Sequence, residues 1–273
     1  MNLKTPGEIE RFFRKELGAI NPYMCLIDSA VKEFKNKPLS EINSLNKNSG
    51  HPNIYLEHLE LNKLQELVNM SHIAYINSKA ETACNSIMNL KEMNKNHKNV
   101  NVGDYLRKTI FVVHRSKYNL EELKSKEKFD FDEKLGNKLE EFLGKEEFHV
   151  IDYYRKIRNS SFHNSNRSIF LRDDYFNETL LTSIENKFGY RPNNNKTLNE
   201  NDIYILSLAW QNAISSICKS CIDIHHSIIP NLQKRYSHVP QKRRLNGIRQ
   251  SLQQEYLLTK NEVDDIIHRI KFD

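Results

Sequence analysis

The chain has 273 residues, enough for one large domain or two smaller ones, and its net charge of +6 makes it only mildly basic. Hydrophobic residues make up 38% of it and charged residues 28%, and the mean hydropathy is −0.70. This balance excludes an integral membrane protein, since no stretch reaches the ~18 consecutive apolar residues that a spanning helix needs.

The N-terminal sequence and the cysteine count indicate a reducing compartment. Met1–Gly18 lacks the apolar core and the small-residue cleavage site of a signal peptide, so we expect a cytoplasmic protein. Four cysteines in a chain of this length are too few for a disulfide framework, and we interpret them as thiols. The mild basic excess permits nucleic-acid binding without requiring it.

Glycine and proline are scarce, at 8 and 7 residues, which favours helices over a fold with many turns. The pattern predicts a short helix at Pro6–Gly18 with Thr5 as its N-cap, and a second at Pro22–Phe34. Pro38–Asn53 is rich in Asn, Ser and Lys and is predicted to be a linker. Apolar residues at helical spacing then predict a long helix at Leu56–Lys95.

The middle of the chain predicts three further helices, Val102–Lys117, Phe131–Leu143 and Glu146–Phe162. The next segment, Asn164–Asn201, is less regular. Its short apolar runs, Ile169–Leu171 and Leu180–Leu181, could be strands, short helices or a flap, and its Asn193–Asn195 run after a proline predicts a loop.

Asp202–Ile229 is apolar around more than half of its circumference, so we expect it to be the most buried helix, ended by Pro230. Two more helices are predicted in the tail, at Pro240–Leu258 and Lys260–Ile270. Asn261 opens the last of these in a way consistent with capping.

One segment carries a chemical pattern. At the end of the Glu146–Phe162 helix, Arg158 is followed by Asn159 and, after four intervening residues, by His163. Imidazole can move a proton near neutral pH, and guanidinium binds a phosphate without risk of deprotonation. An RNA whose 2′-OH attacks the adjacent phosphate needs both functions, and the Asn159 amide could donate a further hydrogen bond.

This pattern resembles the Arg-polar-(four to six residues)-His motif of the HEPN superfamily of endoribonucleases. The resemblance covers roughly Leu56–Ile229 and implies an all-α fold built on a HEPN-like helical bundle. The expected organisation is an N-terminal helical extension and linker at 1–53, the bundle at 54–229 with an irregular insertion after the motif helix, and a C-terminal helical extension at 230–273.

By resemblance, the protein is expected to be a metal-independent endoribonuclease that cuts single-stranded or looped RNA, such as tRNA, and needs no cofactor. Members of the superfamily serve as toxins and as abortive-infection effectors in antiviral defence, which implies an antitoxin or a sensor protein as a further partner. One alternative is a non-catalytic HEPN-like module that binds RNA or protein in such a complex. Another is an unrelated helical scaffold in which the motif is accidental.

The spacing of the motif bears on assembly. Arg158 and His163 are five positions apart, so an unbroken helix separates them by about 140°. Ser160–Ser161 and the following Asn164–Asn166 run are poor helix formers and could loosen the helix there. The resemblance implies another solution, a homodimer in which two motifs form one composite active site.

Basic side chains beside the motif, and at the start of the Pro240–Leu258 helix, are predicted to contact RNA phosphates. Charges on an ordinary solvated helix surface are the alternative explanation. The residues concerned are Arg155, Lys156, Arg167, Arg172, Lys242, Arg243 and Arg244.

A candidate metal site lies at Cys218, Cys221 and His225, which share one helix face at positions i, i+3 and i+7. Structural zinc usually takes four protein ligands, and no fourth is obvious in the sequence. We therefore expect no metal, and we interpret the two cysteines as small core residues.

Overall fold

The computed structural model describes residues 3–48, 61–90, 93, 105–117, 139–163, 172–221 and 228–269. All regular structure in these ranges is helical, which confirms the predicted all-α class. The HEPN-like arrangement of the helices stays a prediction. No helix in the described part of the chain is both long and apolar enough to cross a membrane.

The helices agree with the predicted pattern over most of the chain, and 139–143 adds a short helical stretch within the predicted Phe131–Leu143 helix. In chain order they are α1 (Pro6–Lys35), α2 (Leu39–Asn48), α3 (Leu61–Met88), α4 (Tyr105–Lys117), α5 (Lys145–His163), α6 (Glu178–Phe188), α7 (Glu200–Ser220), α8 (Ile229–Arg235), α9 (Gln241–Gln254) and α10 (Lys260–Arg269).

The chain divides into two compact units. The first unit comprises Met1–Lys15, Lys79–Phe148 and Trp210–Asp273, and the second comprises Glu16–Ser78 and His149–Ala209. Helices α1, α3, α5 and α7 each contribute residues to both units. The division into 1–53, 54–229 and 230–273 concerns the extent of a family module and stays a prediction.

The first helix corrects the sequence prediction. Two short helices were expected, but α1 is continuous over 30 residues and contains Pro22. Tertiary packing accounts for this, because Phe13 and Leu17 before Pro22 and Val31 after it are almost completely buried. At its start, the Thr5 hydroxyl accepts a hydrogen bond from the Glu8 backbone N–H at 3.3 Å, as the predicted N-cap requires.

The predicted linker at Pro38–Asn53 is also partly wrong, since α2 occupies Leu39–Asn48. The Pro38 carbonyl accepts hydrogen bonds from the backbone N–H groups of Glu41 and Ile42 at 3.0 and 3.3 Å. Ile42 is only 6% exposed, so the helix has a buried anchor that the polar composition conceals.

The irregular segment contains α6, which settles the open choice for Leu180 and Leu181 in favour of a helix. Both leucines are buried. The Asn177 side chain accepts a hydrogen bond from the Leu180 N–H at 2.9 Å, and Gly189 ends the helix with φ +85°. The predicted loop at Asn193–Asn195 is confirmed.

The C-terminal helices pack around a shared apolar cluster in the first unit, formed by residues of α8, α9 and α10 such as Leu232, Leu252 and Val263. Pro230 lies in the first turn of α8, so it begins a short helix that the sequence did not predict. The cap of α10 is Thr259, and not Asn261 as predicted: its hydroxyl accepts from the Glu262 backbone N–H at 3.4 Å, and its own N–H donates to the Glu262 carboxylate at 2.7 Å.

Candidate functional site

The candidate site lies on the part of α5 that belongs to the second unit. Val150, Ile151, Tyr154 and Ile157 recur at helical spacing and are at most 1% exposed. This apolar face fixes the helix in the core and leaves the side chains between these positions for polar contacts. From here on we call α5 the motif helix.

Arg158 and Asn159 are brought together by their side chains. The Arg158 guanidinium donates to the Asn159 amide oxygen from Nε at 3.3 Å and from Nη2 at 3.2 Å. Both side chains are half-buried. The amide oxygen is thus turned toward the cation, which leaves the amide NH₂ as the group able to donate to an anion.

The motif helix is α-helical through His163. The predicted loosening at Ser160 and Ser161 is therefore wrong up to that residue, and the Ser160 hydroxyl instead donates to the Ile157 carbonyl at 2.9 Å. A helical backbone keeps positions 158 and 163 about 140° apart. The side chains of 161–163 lie outside the described residues, as does the Asn164–Asn166 run, where loosening is also predicted.

Two of the predicted RNA-binding residues share one carboxylate. Asp152 accepts from Arg155 Nη2 at 2.5 Å and from Lys156 Nζ at 3.0 Å. The side chain of Asp152 is only 6% exposed, whereas those of Arg155 and Lys156 are 28% and 45% exposed. A buried anion thus holds two cations that reach the surface.

Tyr175 completes this cluster from the turn before α6. Its hydroxyl donates to the second Asp152 oxygen at 2.7 Å, and Lys156 Nζ lies 4.6 Å from the centre of its ring. Burial alone would raise the pKa of Asp152, but the hydrogen bonds from Tyr175, Arg155 and Lys156 hold that pKa well below its ordinary value. Asp152 is therefore a carboxylate throughout the physiological pH range.

Arg172, another predicted RNA contact, lies in the same turn but is bound to protein groups. Its backbone N–H donates to the Asn194 side chain at 2.5 Å, and its Nε pairs with Asp173 at 2.7 Å. The side chain remains 30% exposed. Arg167 lies outside the described residues.

Asp202 fastens the neighbouring loop to the motif helix. This fully buried carboxylate accepts from the Tyr154 hydroxyl at 2.5 Å, from the backbone N–H groups of Asn193 and Asn199 at 2.8 Å each, and from the Asn193 amide at 3.0 Å. Burial and the nearby Asp202 charge raise the pKa of Tyr154 well above its ordinary value. The network therefore fixes the loop that carries Asn194.

The second predicted basic group belongs to the first unit. Lys242, Arg243 and Arg244 lie in the first turn of α9, where cations oppose the helix dipole. Lys242 and Arg243 are exposed, and Arg244 Nη2 donates to the Ser237 carbonyl at 2.8 Å.

Three of the four cysteines are core residues, and Cys25 is exposed. Cys84, Cys218 and Cys221 are at most 5% exposed and none of the four cysteines forms a disulfide. Burial raises the pKa of the Cys218 thiol, with a further contribution from Cys221 and Glu10. Within the described residues no group of His, Cys, Asp or Glu side chains could hold a metal ion, and His225 lies outside them.

Comparison with known proteins identifies no relative: no family model, no curated protein and no solved structure matches the chain.

Sequence reasoning missed three residues that organise the site, Asp152, Tyr175 and Asp202. The Asp152 contacts had a signal, because Arg155 and Lys156 follow it at i+3 and i+4 on one helix face. Tyr175 and Asp202 gave none, since they are 23 and 48 positions from their partners on the motif helix.

Proposed function

We propose that the protein is a metal-independent, HEPN-type endoribonuclease that cleaves single-stranded or looped RNA, such as tRNA, as a toxin or antiviral defence effector. The observation that carries the proposal is the Arg158–Asn159 pair, whose side chains are joined at the end of a continuous helix. Arg155 and Lys156, one turn earlier, add support as partly exposed cations.

In this proposal each group has one task. His163 moves the proton of the attacking 2′-OH, and Arg158 stabilises the charge that builds on the phosphate. Asn159 orients the guanidinium and donates an amide N–H to phosphate. The 2′-oxygen then forms the new P–O bond and the 5′-oxygen leaves with a proton, which gives a 2′,3′-cyclic phosphate and a 5′-hydroxyl.

The proposal includes a homodimer. Because the helical backbone holds positions 158 and 163 about 140° apart, one copy does not present both on one helix face. A second copy, related by a two-fold axis, supplies the complementary residues to a composite active site. An antitoxin or a sensor protein is a further proposed partner.

A second candidate is a non-catalytic HEPN-like module that binds RNA or protein in a defence or toxin–antitoxin complex. The pairing of Arg155 and Lys156 with Asp152 favours it, because fixed cations serve binding whether or not cleavage follows.

The deciding experiment incubates the purified chain with total RNA in EDTA. We expect cleavage with cyclic-phosphate ends, and we expect Arg158→Ala and His163→Ala each to lower the rate by about 10²–10⁴-fold, as the loss of a catalytic group does. Arg191→Ala is the matched arginine control, since Arg191 pairs with Glu178 and Glu185 on α6, and it should cleave at the wild-type rate.

Three results would contradict the assignment. Cleavage that survives both substitutions would show that the motif is accidental. Cleavage that requires a divalent metal would exclude the mechanism. RNA binding without any cleavage would favour the non-catalytic module instead.

A further inference from the structure

We propose that Asp152 and Tyr175 are positioning residues that hold Arg155 and Lys156 as a fixed cationic edge for the phosphate backbone of single-stranded RNA. The proposal rests on the proposed function, because it names how the same site binds its substrate. It assigns roles to two residues that touch the RNA only through others.

The two carboxylate oxygens of Asp152 hold both cations. Asp152 divides its two oxygens, with Oδ1 bound to Arg155 and Oδ2 bound to both Lys156 and the Tyr175 hydroxyl. The Tyr175 ring also lies against the ammonium group of Lys156. Each long side chain is therefore held near its charged end, which is the part that meets a phosphate.

The second argument concerns the aromatic support behind Tyr175. Its ring centre lies 5.4 Å from that of Tyr153, 4.8 Å from that of Phe176 and 6.2 Å from that of His149. Tyr153 is fully buried, so these contacts tie the Tyr175 ring to the core of the second unit. The hydroxyl therefore meets Asp152 from a rigid position.

The third argument is energetic. A flexible Lys or Arg side chain loses rotamer entropy when it is ordered. Cations that are already held by Asp152 lose less of it on binding, so preorganisation strengthens the complex.

The fourth argument is the balance of charge. Arg155, Lys156 and Arg158 are three cations within four residues, and Asp152 is the carboxylate that faces two of them. Among the contacts that the described residues show here, two cations thus share one carboxylate. Asp152 is also the most buried of the charged groups in this cluster, so its charge is covered while those of Arg155 and Lys156 are partly exposed.

The test compares two opposite predictions for how RNA affinity changes when the Asp152 carboxylate is removed. Simple electrostatics predicts that removing a carboxylate from an RNA-binding surface strengthens binding. A positioning role predicts the reverse for Asp152→Asn. The matched control is Asp174→Asn, which removes an exposed carboxylate from the same turn as Tyr175.

Binding is measured by fluorescence anisotropy with a labelled, unpaired RNA oligonucleotide, in the His163→Ala background so that the RNA is not cut. We expect Asp152→Asn to weaken binding by about threefold to tenfold, an effect comparable to one lost charge-assisted contact. Asp174→Asn should bind as tightly as the parent or more tightly. Lys156→Ala should lower the slope of log K against log salt by about 0.7, as one lost phosphate contact does for single strands.

Tyr175→Phe guards against a folding artefact, because it removes one hydroxyl and keeps the ring and its aromatic contacts. We expect it to weaken binding by at least twofold while leaving the salt slope unchanged. In the cleaving protein the same substitution should raise KM for RNA and leave kcat within a factor of two.

The two proposals fail in different ways. Cleavage by the wild-type chain together with unchanged or tighter binding by both Asp152→Asn and Tyr175→Phe overturns the positioning role alone. A parent protein that binds no RNA overturns both the positioning role and the proposed substrate.

Discussion

At the scale of single residues, two buried groups of the second unit make stability sensitive to acid. His72 is 7% exposed, and its Nε2 is buried without a hydrogen-bond partner among the described residues. Burial lowers the pKa of His72 below its ordinary value of 6.5, and the nearby Asp28 only partly opposes this. The folded chain therefore holds His72 neutral where the unfolded chain would protonate it.

The sign of the effect follows from proton binding. Below pH 6.5 the unfolded state binds a proton on His72 that the folded state resists, so stability is complete above pH 6.5 and falls as the pH drops toward the folded pKa. Asp152 acts in the same direction at lower pH. Its depressed pKa contributes stability above the ordinary value of 3.8, which is lost as the pH falls through the folded pKa.

We predict that His72→Gln, whose side chain cannot titrate, loses less stability than the wild type when the pH is lowered. Urea unfolding between pH 7.5 and pH 5.5 should show a shallower loss of stability in the variant, by at most about 1.4 kcal/mol per pH unit, the limit for one proton. An unchanged slope in His72→Gln would contradict the assignment.

The residue scale also shows what the sequence could predict of the site. Arg158, Asn159, Arg155 and Lys156 were identified because their order and spacing along one helix are readable. The partners that fix them come from elsewhere in the chain. Nothing in the sequence pairs Tyr175 with a helix that ended before it, since that contact depends on how the turn before α6 packs.

At the scale of elements, α1 shows a local signal overridden by packing. Proline lacks the backbone N–H that would bond the Gly18 carbonyl, and its ring crowds that carbonyl, so a break was expected there. The helix continues because Leu17 and Val31, on either side of Pro22, are only 3% and 4% exposed and anchor both halves by burial. Propensity is a weak guide where two buried contacts flank it.

This reasoning predicts that Pro22→Ala stabilises the protein. A proline inside a helix destabilises the folded chain by about 3 kcal/mol relative to alanine. Replacing it also makes the unfolded chain more flexible, which offsets about 0.4–1 kcal/mol of that gain. We therefore expect the free energy of unfolding to rise by about 2 kcal/mol, measured by urea denaturation. A variant that is less stable than the wild type would show that the proline is needed for the path of α1.

Other helices show the same difference between what the sequence pattern can predict and what depends on packing. Long helices such as α3 and α7 were predicted because their apolar residues repeat over many turns. The short helices α2 and α8 were missed, since each relies on one or two buried anchors, Ile42 in α2 and Leu232 in α8, in a polar segment.

At the scale of the whole molecule, the proposed composite site requires both chains of the homodimer for catalysis. If each site takes Arg158 from one chain and His163 from the other, then Arg158→Ala and His163→Ala are inactive alone and complementary when mixed. After random subunit exchange, about half of the dimers are mixed and each has one intact site, so about a quarter of the wild-type activity should return.

The measurement is RNA cleavage in EDTA, before and after the two inactive variants are mixed and allowed to exchange. Arg158→Ala mixed with itself should remain inactive. An exchanged mixture that stays inactive would contradict a site built from two chains, even if each variant alone behaves as expected.

The two compact units have a consequence for inheritance. Four helices each pass from one unit into the other, and each unit is assembled from separate stretches of chain. A single crossover between related genes therefore cannot exchange one whole unit and leave the other unchanged, and a single protease cut cannot separate the two units. Separating them takes a break at each of the four boundaries, after residues 15, 78, 148 and 209.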